Sequence, residues 1–194
     1  MTSSSPSAPR RRLVGIAGPP GAGKSTYAEH LVASSSVPAG LVPMDGFHLA
    51  DRALTELGLL DRKGAPETFD AWGYAALLRR VREARHTVWA PAFERDLEQP
   101  LAGAVAVYPD AELVVTEGNY LLLDRAEWRA VRAELDEVWF LECPDDTRRP
   151  RLVARHVEFG KSPAEAEAWV ARVDDANAAL VTATRSRADR VVTA

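Results

Sequence analysis

Residues Gly18-Pro19-Pro20-Gly21-Ala22-Gly23-Lys24-Ser25, followed by Thr26, fit the pattern G-x-x-x-x-G-K-[ST]. No other stretch limits so strongly what this chain can fold into. The glycines let the backbone turn tightly and approach an anion without a Cβ in the way. The loop N–H groups then point at phosphate oxygens, and the next helix adds the positive end of its dipole. In this reading Lys24 reaches the β- and γ-phosphates as a point charge, and the Ser25 hydroxyl binds Mg²⁺. The flanks give the motif the context it needs. Residues 13–17 (LVGIA) are a short apolar run that predicts a buried strand. Residues 24–34 predict a helix, with Tyr27, Ala28, Leu31 and Val32 at helical spacing.

The rest of the chain follows the same alternation. Strands are predicted at 41–44, 87–90, 104–107, 113–116, 138–141 and 190–193. Helices are predicted near 52–59, at 70–84 (inner face Trp72, Ala76, Leu77, Val81), 127–135, 149–158 and 163–185. Ser162-Pro163 marks the start of the last one. Residues 93–98 read as a charged loop. Strands alternating with helices imply an α/β fold of three layers, a central and mostly parallel sheet between helices. Residues 11–194 are read as a single domain, and residues 1–10, which are Ser/Pro-rich, as a disordered tail.

Composition excludes several classes. The chain has 194 residues and a net charge of −4, so no overall field would draw in nucleic acid. No apolar run approaches the roughly 18 residues of a membrane span, and no apolar segment turns the start into a signal peptide. A cytoplasmic enzyme is expected, with no nucleic-acid or membrane partner. The sequence is silent on oligomeric state, and a homodimer is compatible with it. The one cysteine, Cys143, excludes an internal disulfide and reads as a buried structural thiol. The five tryptophans read mostly as core.

In open α/β sheets, ligands bind beyond the carboxyl ends of the strands. That rule singles out the loop after the first strand, Asp45 after the second, and Glu117 after the central one. Glu117 is placed to help hold Mg²⁺ beside Ser25. Asp45 is placed to accept the proton of a substrate hydroxyl and aim that oxygen at a γ-phosphate. Arg151 and Arg155, one helical turn apart, are candidates to close over the phosphates, whereas Arg148 and Arg149 read as a solvated face and His156 as structural.

Several segments together resemble the uridine kinase, phosphoribulokinase and bacterial pantothenate kinase family. They are 18–26, Met44-Asp45-Gly46-Phe47-His48, the stretch from Arg62 to Asp70 (RKGAPETFD), Ala90-Pro91-Ala92-Phe93-Glu94-Arg95 and Glu117-Gly118-Asn119-Tyr120-Leu121-Leu122. The resemblance covers most of the chain and is nearest to a bacterial nucleoside/nucleotide kinase-like subgroup, some of whose members are called fructokinases. It implies an ATP- and Mg²⁺-dependent kinase with a small-molecule substrate, Asp45 as base and Arg155 in a mobile lid. It also implies that Phe47, His48, Lys63 and Asp70, with Arg95, Glu98 and Tyr120, line the substrate pocket. The segment around Phe93-Glu94-Arg95 departs from the Tyr-Asp and histidine signature of uridine kinases, which argues against uridine. Pro150 falls where the lid helix should begin, and fits as its first residue with Arg149 as cap. The sequence leaves a sugar, a nucleoside and a pantothenate-like alcohol open as substrate. The rival reading is a P-loop ATPase or GTPase-type switch without a small-molecule substrate. The chain lacks the Asn-Lys-x-Asp segment of a guanine-specific switch.

Overall fold

A computed structural model describes residues 11–193. The expected tail at 1–10 lies outside the described residues. The first strand, β1 (Arg12–Ala17), runs into the glycine loop and on into α1 (Lys24–Ala33). After β2 (Ala39–Pro43) come a 3-10 turn at Met44–Phe47, the short helix α2 (Asp51–Leu57), and α3 (Ala71–Glu83). Next are β3 (Val88–Glu94), β4 (Gln99–Val107), β5 (Leu113–Glu117), α4 (Ala126–Ala133) and β6 (Glu137–Glu142). The chain finishes with α5 (Asp145–Glu158), α6 (Pro163–Trp169), α7 (Asp175–Thr182) and β7 (Arg190–Thr193).

Five strands form a parallel sheet in the order β2-β5-β1-β6-β7. β1 lies in the middle and is buried on both faces, which is why it reads as an unbroken apolar run. Leu13 and Ala17 pack on the face covered by α3 and α4, where Leu78 and Trp128 are fully buried. Val14 and Ile16 point to the other face, where Ala28 of α1 meets Val115 and Leu141. The expected three-layer architecture is therefore present. No helix among the described residues is long and apolar enough to cross a membrane.

β3 and β4 depart from the pattern. They pair antiparallel as a separate hairpin, with a register shift between Ala90 and Ala92. Of the expected loop at 93–98, Phe93 and Glu94 belong to β3, and 95–98 form the turn, where Glu98 takes φ 51°. The hairpin rests on the 3-10 turn after β2. A Cβ on Gly46 would lie 2.5 Å from the Pro91 carbonyl carbon, so only glycine allows that approach.

Three helices differ from expectation. In α3 the buried positions are Ala71, Tyr74, Ala75, Leu78 and Val81, and Trp72 is 61% exposed. Two anchors set that phase: Asp70 caps the helix by accepting from the Gly73 amide at 2.8 Å, and the Tyr74 hydroxyl bonds Thr116 in the sheet. α5 begins five residues before Pro150, so the proline is neither its first residue nor a break. The missing N–H removes one helical bond, while Asp145 and Asp146 suit the positive N-terminal end. The predicted helix at 163–185 starts at a Ser162/Glu165 capping box, as expected. It is then interrupted by a π turn at Val170–Asp174 before α7.

The other side-chain expectations divide. Only Trp128 among the tryptophans is fully buried, and Trp89 is 57% exposed on the hairpin. Cys143 is half-buried just past the end of β6, not enclosed. Arg148 is no solvated residue. Its side chain is 3% exposed and forms 2.7 Å ion pairs with Asp145 and Asp175.

Candidate active site

The carboxyl ends of β1, β2 and β5 open into one cleft of about 480 Å³. At its base is the glycine loop. α1 starts at Gly23, which has φ +87° and provides no side-chain cap, so the N–H groups of the first turn keep no protein partner and face any anion held there. Lys24 is buried and donates to the Pro19 carbonyl at 3.0 Å and to Asn119 Oδ1 at 2.6 Å. An ammonium has three N–H donors, so one remains for a phosphate. Burial lowers the Lys24 pKa from its usual range, against the pull of Glu117 and Asp45.

Glu117 ends β5, 6% exposed, and accepts from Ser25 Oγ at 3.2 Å. Burial and the nearby Asp45 push its carboxyl up to about 7. A buried acid and a hydroxyl side by side are hard oxygen donors that suit Mg²⁺. Among the described residues no group of three or more His, Cys, Asp or Glu side chains could hold a metal by itself.

Asp45 lies in the 3-10 turn after β2, half-exposed on the cleft wall, 3.8 Å from Arg95. Its backbone carbonyl receives His48 Nδ1 at 2.8 Å. The His48 ring lies between Phe69 and Phe93, with centroids 4.0 and 4.7 Å away. Lys63 bonds Asp51 at 2.7 Å and lies over the Phe93 ring. Opposite, α5 brings Arg151 and Arg155 to the wall. Burial, then the neighbouring Arg95, lowers the Arg155 pKa. Arg151 stands beside Gly23, at the phosphate end of the cleft.

The structure thus gathers Lys24, Ser25, Thr26, Asp45, His48, Lys63, Arg95, Glu98, Glu117, Arg151 and Arg155 around one space. Of the glycine loop, Pro20, Gly21 and Gly23 line it, while Gly18, Pro19 and Ala22 are buried behind. Three residues expected in the pocket lie elsewhere. Phe47 is buried against Tyr74, with ring centroids 4.7 Å apart. Asp70 is the exposed cap of α3. Tyr120 is fully buried between Phe69 and Trp128, its hydroxyl donating to the Gly64 carbonyl.

Sequence reasoning missed the far end of the cleft. His156, Phe159, Trp169, Asp174 and Asn177 line it from α5 and its end, α6, the π turn and α7. His156 Nε2 lies 2.9 Å from Asp174 Oδ2. Asn119 was also missed as the partner of Lys24.

The matching family is described as the Phosphoribulokinase / Uridine kinase family, and the match runs over residues 13–194. The chain belongs to that family. As a member it is a small-molecule kinase of the P-loop class, and the family implies use of ATP. One relative is "Uncharacterized protein YggC" of Escherichia coli, 37% identical over 188 residues, which are 94% of this chain and 78% of that protein. A second is "ATP-dependent kinase-like protein notR'" of Aspergillus versicolor, 37% identical over 145 residues, covering 70% and 84%. Among solved structures, one described as a "putative fructose transport system kinase" from Silicibacter sp. superposes with a TM-score of 0.88. It is 41% identical, over 97% of this chain and 92% of that one.

Proposed function

We propose that this family member transfers the γ-phosphate of ATP to a hydroxyl of a small metabolite (a sugar, a nucleoside or a pantothenate-like alcohol) in the cytoplasm, with Asp45 as the base. One observation carries the reading. The Asp45 carboxylate faces the same cleft as Lys24, Ser25 and Glu117, at the boundary between the phosphate end and the aromatic-lined compartment. A carboxylate so near the γ-phosphate repels it unless a hydroxyl lies between them.

The residues then divide the work. The α1 amides and Lys24 hold the phosphates. Ser25 and Glu117 would hold Mg²⁺, which would supply neutralisation of the negative charge on the phosphates. The substrate hydroxyl donates to Asp45 and presents its lone pair to phosphorus. As the new O–P bond forms, the bond to the β-phosphate oxygen breaks, ADP leaves, and the hydroxyl proton passes to Asp45. Arg151 and Arg155 offset charge on the transferring group.

Asp45→Asn tests this. Turnover should fall about 10²-fold or more, with ATP affinity by calorimetry unchanged. Near-normal transfer in that variant would remove Asp45 from the role of base.

A further inference from the structure

The far end of the cleft has an unusual excess of unused hydrogen-bond acceptors. Asp174 sits at the end of the π turn, 8% exposed. Its Oδ2 meets His156 Nε2, but its Oδ1 has no hydrogen bond to any described residue and is not among the buried atoms without a partner. It therefore opens onto the cleft that Asp174 lines. Asn177, three residues on and 9% exposed, donates from Nδ2 to the Gly64 carbonyl at 3.4 Å. A carbonyl only accepts, so this contact orients the amide and leaves Asn177 Oδ1 as a bare acceptor on the same wall.

His48 supplies a third. Its Nδ1 faces the Asp45 carbonyl, so Nδ1 carries the proton and Nε2 is a lone pair. Burial lowers its pKa, against the pull of Asp45. Three acceptors from two segments, the π turn with α7 and the turn after β2, thus line one cleft, beyond the Asp45 carboxylate itself. In the open cleft these atoms bond water, and a ligand that displaces that water has to supply donors in its place.

Donors come as charged ammonium or guanidinium groups, as neutral N–H groups or as hydroxyls. Lys63, Arg95, Arg155 and Lys161 line the same compartment and repel an ammonium. The carboxylates of Asp45, Glu98 and Asp174 line it too, so a carboxylate or phosphate also meets like charge there. Neutral hydroxyls satisfy both sets, donating to the oxygens and to His48 while accepting from the cations. The rings of Phe93, Phe159 and Trp169 offer apolar faces for the C–H side of such a molecule. Lys161 and Arg172 lie 5.0 and 5.2 Å over the Trp169 ring and hold it in place.

We infer that Asp174, Asn177 and His48 form a recognition site for a neutral polyhydroxylated substrate, a sugar or polyol, binding the hydroxyls that are not phosphorylated. This rests on the kinase reading and narrows it.

The test measures ADP release from ATP and Mg²⁺ with two sets of probes. D-fructose, D-ribose and xylitol are neutral, whereas D-pantothenate, D-glycerate and ribulose 5-phosphate carry an anion. The expected result is stimulation by a neutral probe. Asp174→Asn and Asn177→Ala should each raise its KM about 10-fold or more, with a smaller change in kcat and parent-like ADP affinity by calorimetry. If Asp174→Asn loses ADP binding, it has not folded properly and Asn177→Ala carries the test. Stimulation by the anionic probes alone overturns the inference and leaves the kinase reading standing. Stimulation by a neutral probe with parent-like KM in the folded variants overturns the assignment of the site. No stimulation by any probe overturns this inference and leaves the kinase reading standing for nucleosides.

Discussion

Arg148 makes a strong claim about how the phosphate end is built. Its guanidinium is buried, and it ties the start of α5 to the start of α7 through Asp145 and Asp175, each at 2.7 Å. Its backbone oxygen packs on the glycine loop, 2.7 Å from where a Cβ on Gly21 would stand. Arg148→Met keeps the bulk and removes the charge. Breaking a buried ion pair by deleting one partner costs about 3–5 kcal/mol. The low end applies here, because Asp145 is largely exposed and Asp175 keeps Arg149 at 3.1 Å. A loss of about 3 kcal/mol lowers the Tm of a chain this size by about 6–12 °C.

The pH dependence has a definite sign. Burial acts to raise the Asp175 carboxyl, but hydrogen bonds from Arg148 and Arg149 hold it below its ordinary value. A depressed carboxyl contributes stability that is present above its unfolded pKa, about 3.9, and lost as pH falls through the folded value. The gap between parent and variant should therefore narrow below about pH 4. Thermal unfolding of both proteins across pH measures it. A drop of less than about 2 °C at pH 7, or a gap that does not change with pH, would refute the account of Arg148.

Other perturbations have separate readouts. Lys24→Ala should abolish transfer and weaken ATP binding with an unchanged Tm, and an unchanged turnover would remove the loop from the mechanism. Glu117→Gln should lower activity and raise the Mg²⁺ concentration needed, and an identical Mg²⁺ dependence would leave Glu117 a structural strand-end residue. Gly46→Ala should force the hairpin off the Asp45 turn at a cost of about 1–3 kcal/mol. Its turnover should fall while ADP affinity holds, and parent-like Tm and turnover would show that the contact is slack.

How much of this was legible depended on what each residue's neighbours in sequence reveal. The loop at 18–26, Asp45 and Glu117 were found because each follows an apolar strand, and strand ends in a parallel sheet share one side. The hairpin was shortened in the reading because Pro91 and the charges of 93–98 hide strands that owe their stability to packing on the Asp45 turn. The start of α5 was misplaced because Pro150 suggests a boundary, whereas the buried Arg148 anchors the preceding turn through Asp175, 27 residues away. The far end of the cleft was missed entirely. His156 reads as a lone structural histidine, and Asp174 and Asn177 fall inside the single helix expected at 163–185. Only the π turn and the fold of α5 against α6 and α7 bring them to the pocket, and neither leaves a periodic signal.

The central claim is that phosphate moves to a metabolite and not to water. The direct measurement supplies ATP labelled in the γ-phosphate, Mg²⁺ and a filtered pool of small metabolites, and follows the label by mass spectrometry in parent and Asp45→Asn. The account predicts label in a phosphoester of one class of hydroxyl compound, ADP release that rises with that compound, and about 10²-fold less of both in Asp45→Asn. Label found only in inorganic phosphate, at a rate indifferent to the pool, would contradict it and make the protein an ATPase.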